Sequence, residues 1–137
     1  MTMSDVSQAV PTDHTFQVYY SKADRQIRWK FDGADDIETC KVYTSDSIAF
    51  SFQPESDDGG GTVVQSVLLS GSQSDKTKGA PFEEGSLIDL SKSMNLKVGT
   101  STGLWGFSIA FTVAHGDSST SFYFVPDPEL QVGSIRA

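Results

Sequence analysis

Residues 104–114 alternate without a break. Trp105, Phe107, Ile109, Phe111 and Val113 are large and apolar, while Gly106, Ser108, Ala110, Thr112 and Ala114 between them are small. Successive side chains of a strand point to opposite faces, so the pattern predicts a strand with one bulky face and one smooth face. Residues 115–119 are polar and residues 120–125 alternate again, which predicts a hairpin. Pro126 and Pro128 then remove two ladder donors and are expected to end the pairing.

The same period recurs along the chain. Phe16 and Val18 alternate with Thr15 and Gln17; Ile27, Trp29 and Phe31 alternate with Arg28 and Lys30. These two runs predict an antiparallel hairpin. Asp32-Gly33 suits a tight bend, because glycine takes positive φ without steric cost. Cys40 and Val42 share one side of a short strand, and Ile48, Phe50 and Phe52 mark another. Residues 54–61, with three successive glycines, read as a loop. Val63, Val64, Val67, Leu68 and Leu69 lack clean alternation, so their strand is expected to be covered on both faces or to carry a bulge. Residues 71–85 read as a long polar loop, and Met94, Leu96 and Val98, then Leu130 and Val132, as further strands.

The sum is eight or nine short strands with no helical period and no repeat. That predicts an all-β fold, a two-sheet antiparallel β-sandwich of immunoglobulin-like or cupredoxin-like architecture. Its expected core is Phe16, Val18, Ile27, Trp29, Phe50, Val67, Trp105, Phe107, Ile109, Phe111 and Phe122. The expected organisation is a flexible tail over residues 1–12, a single domain over 13–133 and a short tail over 134–137.

Composition narrows the partners. The 137 residues carry 10 basic and 18 acidic groups, a formal charge of −8. Such a surface repels nucleic acid and anionic membranes on average, so neither is expected as a partner. The first residues lack a basic and apolar leader pattern, and no apolar run reaches membrane-spanning length, which points to a cytoplasmic protein. The lone cysteine, Cys40, reads as a buried apolar residue, and no spacing suggests zinc.

Several residues bear on function. A solvated strand face normally carries long polar side chains, so the smooth face of Gly106, Ser108, Ala110, Thr112 and Ala114 suggests close approach by another surface. Self-association or another protein–protein contact is the expected use, a homo-oligomer first of all; cover by residues 71–85 is the competing account. The alternative function is a ligand-binding module for a carbohydrate or other small molecule, with or without calcium. It would use exposed Tyr19, Tyr43 and Tyr123 and the acidic loop with Glu55, Asp57 and Asp58; Asp32, Asp35 and Asp36 form a second acidic cluster. His115 and Asp117 flank a glycine but accompany no nucleophile motif. His14, His115, Cys40 and Met94 match the inventory of a blue-copper site, but Cys40 falls in the wrong order. The expectation is therefore a non-enzymatic protein with no cofactor or metal.

Overall fold

The computed structural model describes residues 10–23, 25–35, 37–55, 61–73, 79–126 and 128–134. Ten strands follow in order: β1 (Asp13–Tyr20), β2 (Ile27–Phe31), β3 (Thr39–Tyr43), β4 (Ser47–Pro54), β5 (Thr62–Ser72), β6 (Leu87–Asp89), β7 (Asn95–Lys97), β8 (Gly103–Ala114), β9 (Thr120–Val125) and β10 (Glu129–Gly133). The expected tails lie mostly outside the described residues, at 1–9 and 135–137. Among the described residues no helix is long and apolar enough to cross a membrane.

The strands form a sandwich of two sheets. One has four strands in the order β2-β1-β4-β7; the other has six, in the order β3-β10-β8-β5-β6, with β9 also beside β8. The alternating segment, β8, is the spine of the larger sheet. β5 pairs along one edge of it, while β10 and β9 share the other edge end to end. Pro126 and Pro128 interrupt that shared edge, since neither donates to a ladder. The pairing resumes after them, and Phe107 donates its backbone N–H to the Pro128 carbonyl at 3.1 Å.

The expected purely antiparallel pairing is corrected: the sheets are mixed. β1 runs parallel to β4, and β3 parallel to β10. Both pairs join strands far apart in sequence, and a parallel pair requires such a crossover. Alternation within a strand carries no information about which distant strand lies beside it.

The core lies between the sheets. The inner face of β8 supplies Trp105, Phe107, Ile109, Phe111 and Val113, each at most 2% exposed. Phe107 meets Phe16 edge-on, with centroids 5.3 Å apart, and Phe111 stacks on Tyr123 at 5.2 Å. Four residues of the expected core are placed differently. Ile27 and Trp29 are half-buried and cover the core from β2. Val67 is half-buried on the other side of its sheet, because a bulge between Val63 and Gln65 shifts the phase and sends Leu68 inward instead. Phe122 is 65% exposed. In the run Phe-Tyr-Phe-Val either phase of β9 presents an aromatic face; the register with β8 sets Tyr123 beside buried Phe111 and Phe122 beside Thr112.

The segment expected as a polar loop contributes to the sandwich too. β5 extends through Gly71 to Ser72, and Phe82 is buried and bridges to Val98. Residues 74–78 lie outside the described residues.

Candidate functional site

The outer face of the six-stranded sheet is built on the small residues of β8. Gly106, Ser108, Ala110, Thr112 and Ala114 all point outward and are half-buried between taller neighbours. On the β5 side Val67 stands beside Ala110, Leu69 beside Ser108, and Gly71 beside Gly106; Leu87 of β6 follows Leu69. On the β9 side Phe122 stands beside Thr112 and Phe124 beside Ala110. Directly paired residues share a face, so β8 is the floor of a furrow walled by Val67, Leu69 and, beside Thr112, Gln65 on one side and by two phenylalanines on the other.

This face concentrates exposed apolar surface. Seven large hydrophobic side chains are exposed among the described residues, and four of them are Leu69, Leu87, Phe122 and Phe124; a fifth, Val64, is the bulged residue where β5 passes the end of the furrow. Single exposed apolar residues are ordinary, whereas a cluster rimming one depression needs an explanation. Two hollows lie along the furrow. One of about 650 Å³ has Gly106, Ser108 and Gly71 among its lining, with Gln73 and Glu129 at its end. The other, of about 230 Å³, lies over Ala110 and Thr112 between Val67 and Phe122. Of the segment expected to cover this face, Gln73 reaches it: its Nε2 donates to the Glu129 carboxylate at 3.4 Å beside Gly106.

The two histidines are both buried, 7% exposed each. His14 lies between two carboxylates, with Nδ1 2.7 Å from Asp32 Oδ2 and Nε2 2.8 Å from Asp46 Oδ2. Asp46 is fully buried and also accepts the backbone N–H groups of Thr12 and Tyr43. Asp32, in a left-handed conformation (φ 51°), accepts the Thr15 N–H with its other oxygen. The cluster pins three chain segments together and leaves no ring nitrogen of His14 for a substrate. His115 Nε2 lies 2.9 Å from Ser121 Oγ, while its buried Nδ1 has no hydrogen-bond partner among the described residues. Among the described residues no carboxylate is hydrogen-bonded to that ring, so there the histidine and serine have no third member of the kind that activates a nucleophile.

The expected ligand residues are scattered. Tyr19 is half-buried on the outer face of the four-stranded sheet, and the Arg28 guanidinium lies 4.2 Å from its ring centre. Tyr43 lies on edge strand β3 and covers Gly133, where a Cβ would sit 2.9 Å from its ring. The expectation that Tyr123 faces outward is corrected: it is 3% exposed and donates its hydroxyl to the Ser21 carbonyl at 3.0 Å, because the phase of β9 turns it inward. Asp57, Asp58 and Asp36 lie outside the described residues. Among the described residues no three His, Cys, Asp or Glu side chains are grouped so as to hold a metal ion. Cys40 is fully buried, and burial pushes its thiol up to about 12, which removes it as a nucleophile.

Sequence reasoning found the floor of the furrow and missed its walls. The signal for them was present: β9 reads apolar on both faces, and one face of a strand in a sandwich has no core to meet. Compared with known proteins, the chain matches no family model, no curated protein and no solved structure.

Proposed function

We propose that this protein acts as a non-enzymatic interaction module that docks the outer face of its six-stranded sheet against another protein surface, a second copy of itself in the first instance. One observation carries the reading: a floor of small residues lies between apolar walls that include Leu69, Leu87, Phe122 and Phe124, all four at 51–67% exposure. Burying such a surface is favourable in proportion to the apolar area removed from water. The carbohydrate alternative has less support, because Arg28 already occupies a face of the Tyr19 ring and Tyr123 is inside.

Sedimentation equilibrium across a wide range of protein concentration tests the reading. The expected result is a mass that rises with concentration, and more steeply in salt, since salt screens the repulsion between copies that each carry a formal charge of −8. A mass that stays monomeric at every concentration and salt level would count against self-association.

A further inference from the structure

We propose that the second copy sits about a two-fold axis running roughly along the strands between β8 and β9, so that the phenylalanine wall of each copy fills the furrow of the other. This rests on the self-association proposed above and adds the register of the contact. Thr112 lies beside Phe122 and Ala110 beside Phe124. A half-turn about the line between those two strands lays β9 of one copy over β8 of the other, level with level. Each Phe122 then stands over Thr112 of the second copy, and each Phe124 over Ala110 of the second copy. A large side chain faces a small one at both levels, which is how sheets packed about 10 Å apart fill the space between them. The contact repeats on both sides of the axis, as a closed dimer requires. An axis inclined by about 15° to the strands also gives the ~30° crossing that twisted sheets prefer.

Other axes fit less well. An axis along β8 lays floor on floor and wall on wall, and leaves a void down the middle. An axis between β8 and β5 sets Phe124 over Asp89 of the second copy, because Asp89, Val67, Ala110 and Phe124 lie in one row across the sheet. That arrangement takes water from a carboxylate and returns nothing to it. An axis across the strands between β9 and β10 sets the phenylalanines over β10, whose outward residues include Glu129 and Gln131, and one at the level of Tyr123 sets ring on ring and floor on floor.

The area suits a reversible dimer. Phe122 and Phe124 are 65% and 51% exposed; at roughly 200 Å² per aromatic side chain they offer about 230 Å² per copy. The floor they cover loses a similar area, so the two reciprocal contacts bury on the order of 900 Å² in all, within the range of transient complexes. Leu69 and Leu87 fall outside this overlap.

The test exchanges wall and floor. Ala110→Phe alone sets ring against ring, and Phe124→Ala alone leaves the furrow empty; each is expected to weaken dimerisation by about tenfold or more. The double variant Ala110→Phe/Phe124→Ala restores the size match across the axis and keeps a phenylalanine beside an alanine within each chain. Its dissociation constant is expected to return to within about threefold of the original. The double variant Thr112→Phe/Phe122→Thr repeats the exchange one level along, and thermal unfolding checks that each variant is folded. A wild-type chain that never associates overturns self-association and register together. A wild-type dimer that Ala110→Phe leaves intact, or that neither double variant restores, overturns the register alone.

Discussion

The two sheets have similar inner faces and opposite outer ones. Outward positions of the four-stranded sheet carry Gln17, Tyr19, Arg28, Lys30, Ser51 and Gln53. Arg28 lies over Tyr19 and pairs with Glu55 through two nitrogens, at 2.7 and 3.2 Å. Outward positions at the centre of the six-stranded sheet, on β8 and the strands beside it, carry mostly glycine, alanine, serine, leucine and phenylalanine, with polar Gln65, Asp89, Glu129 and Gln131 around them. Solubility explains the first set, because long charged side chains keep a sheet face wet. It does not explain the second, since small residues flanked by exposed rings lower the cost of removing water. Inward residues therefore report the fold, and the difference between the outward faces is what the proposed docking rests on.

The sharpest way to break that contrast is to truncate the same residue type on each side of the larger sheet. Phe111 is 1% exposed and within ring contact of Tyr20, Phe52 and Tyr123. Phe111→Ala is expected to cost about 3–5 kcal/mol of folding stability. Phe122→Ala, on the next strand but facing out, is expected to stay within about 0.5 kcal/mol. Urea unfolding at a concentration that keeps the chain monomeric measures both. Equal costs would mean that the outer face is covered within the chain itself.

A second contrast lies inside the polar sheet, around one histidine. Asp46 is fully buried and accepts from Thr12, Tyr43 and the His14 ring, whereas the Asp32 side chain is 44% exposed. Asp46→Ala strands those donors away from water and is expected to cost about 3–5 kcal/mol. Asp32→Asn keeps an acceptor and tolerates the left-handed backbone there, so about 1 kcal/mol or less is expected. The same urea titrations decide it, and a reversed order would place the anchor of this cluster at the surface.

These contrasts also separate what was legible in the sequence from what was not. The β8–β9 and β1–β2 hairpins were legible as pairings, because alternating runs joined by short polar turns pair antiparallel, but the phase of β9 was not, since its run is aromatic on both faces. The smooth floor of the furrow was legible from the strict alternation of β8. Of its walls only a hint was, in the two apolar faces of β9: Leu69 stands beside Ser108 and Phe124 beside Ala110 only through pairing between strands, and the phase of β5 depends on a bulge near Val64. His14 lies 18 residues from Asp32 and 32 from Asp46, so no local pattern announces their meeting. Phe82 sat in a run that composition marked as loop, yet one aromatic side chain among polar neighbours was enough to dock that run on Phe50. Local periodicity fixes which residues share a face, and only tertiary pairing fixes what stands next to them.

The dry side of the larger sheet holds one thiol away from water. Cys40 on β3 has its thiol pushed up from 9.0 to about 12 by burial. In the unfolded chain the thiol ionises first, so its contribution is complete below pH 9 and is lost as pH rises from 9 toward 12. A loss of roughly 1.4 kcal/mol by pH 10 is expected from this group. The difference in stability between wild type and Cys40→Ala, followed from pH 8 upward, isolates it from other titrating groups. A difference that stays flat with pH would mean that water reaches the thiol at this sheet edge.

The smallest expected effect lies where the rims of the two sheets meet. Lys22 follows β1 and Asp117 sits in the β8–β9 turn; they form an exposed ion pair, and Asp117 also accepts from the Ser119 hydroxyl and N–H. The hydrogen bond from Lys22, and next those from Ser119, hold the Asp117 carboxyl below its ordinary value of 3.8. A lowered carboxyl contributes above pH 3.8 and loses that contribution as pH falls below it. Both side chains face solvent, where water and salt screen the pair and the two long side chains give up freedom to form it. Lys22→Met is therefore expected to move the Asp117 titration upward, read by carboxyl NMR, with no measurable change in melting temperature at neutral pH. A large drop in melting temperature would instead make this rim contact a fastening between the sheets, and would mean that the polar and apolar halves of the molecule are not held by the core alone.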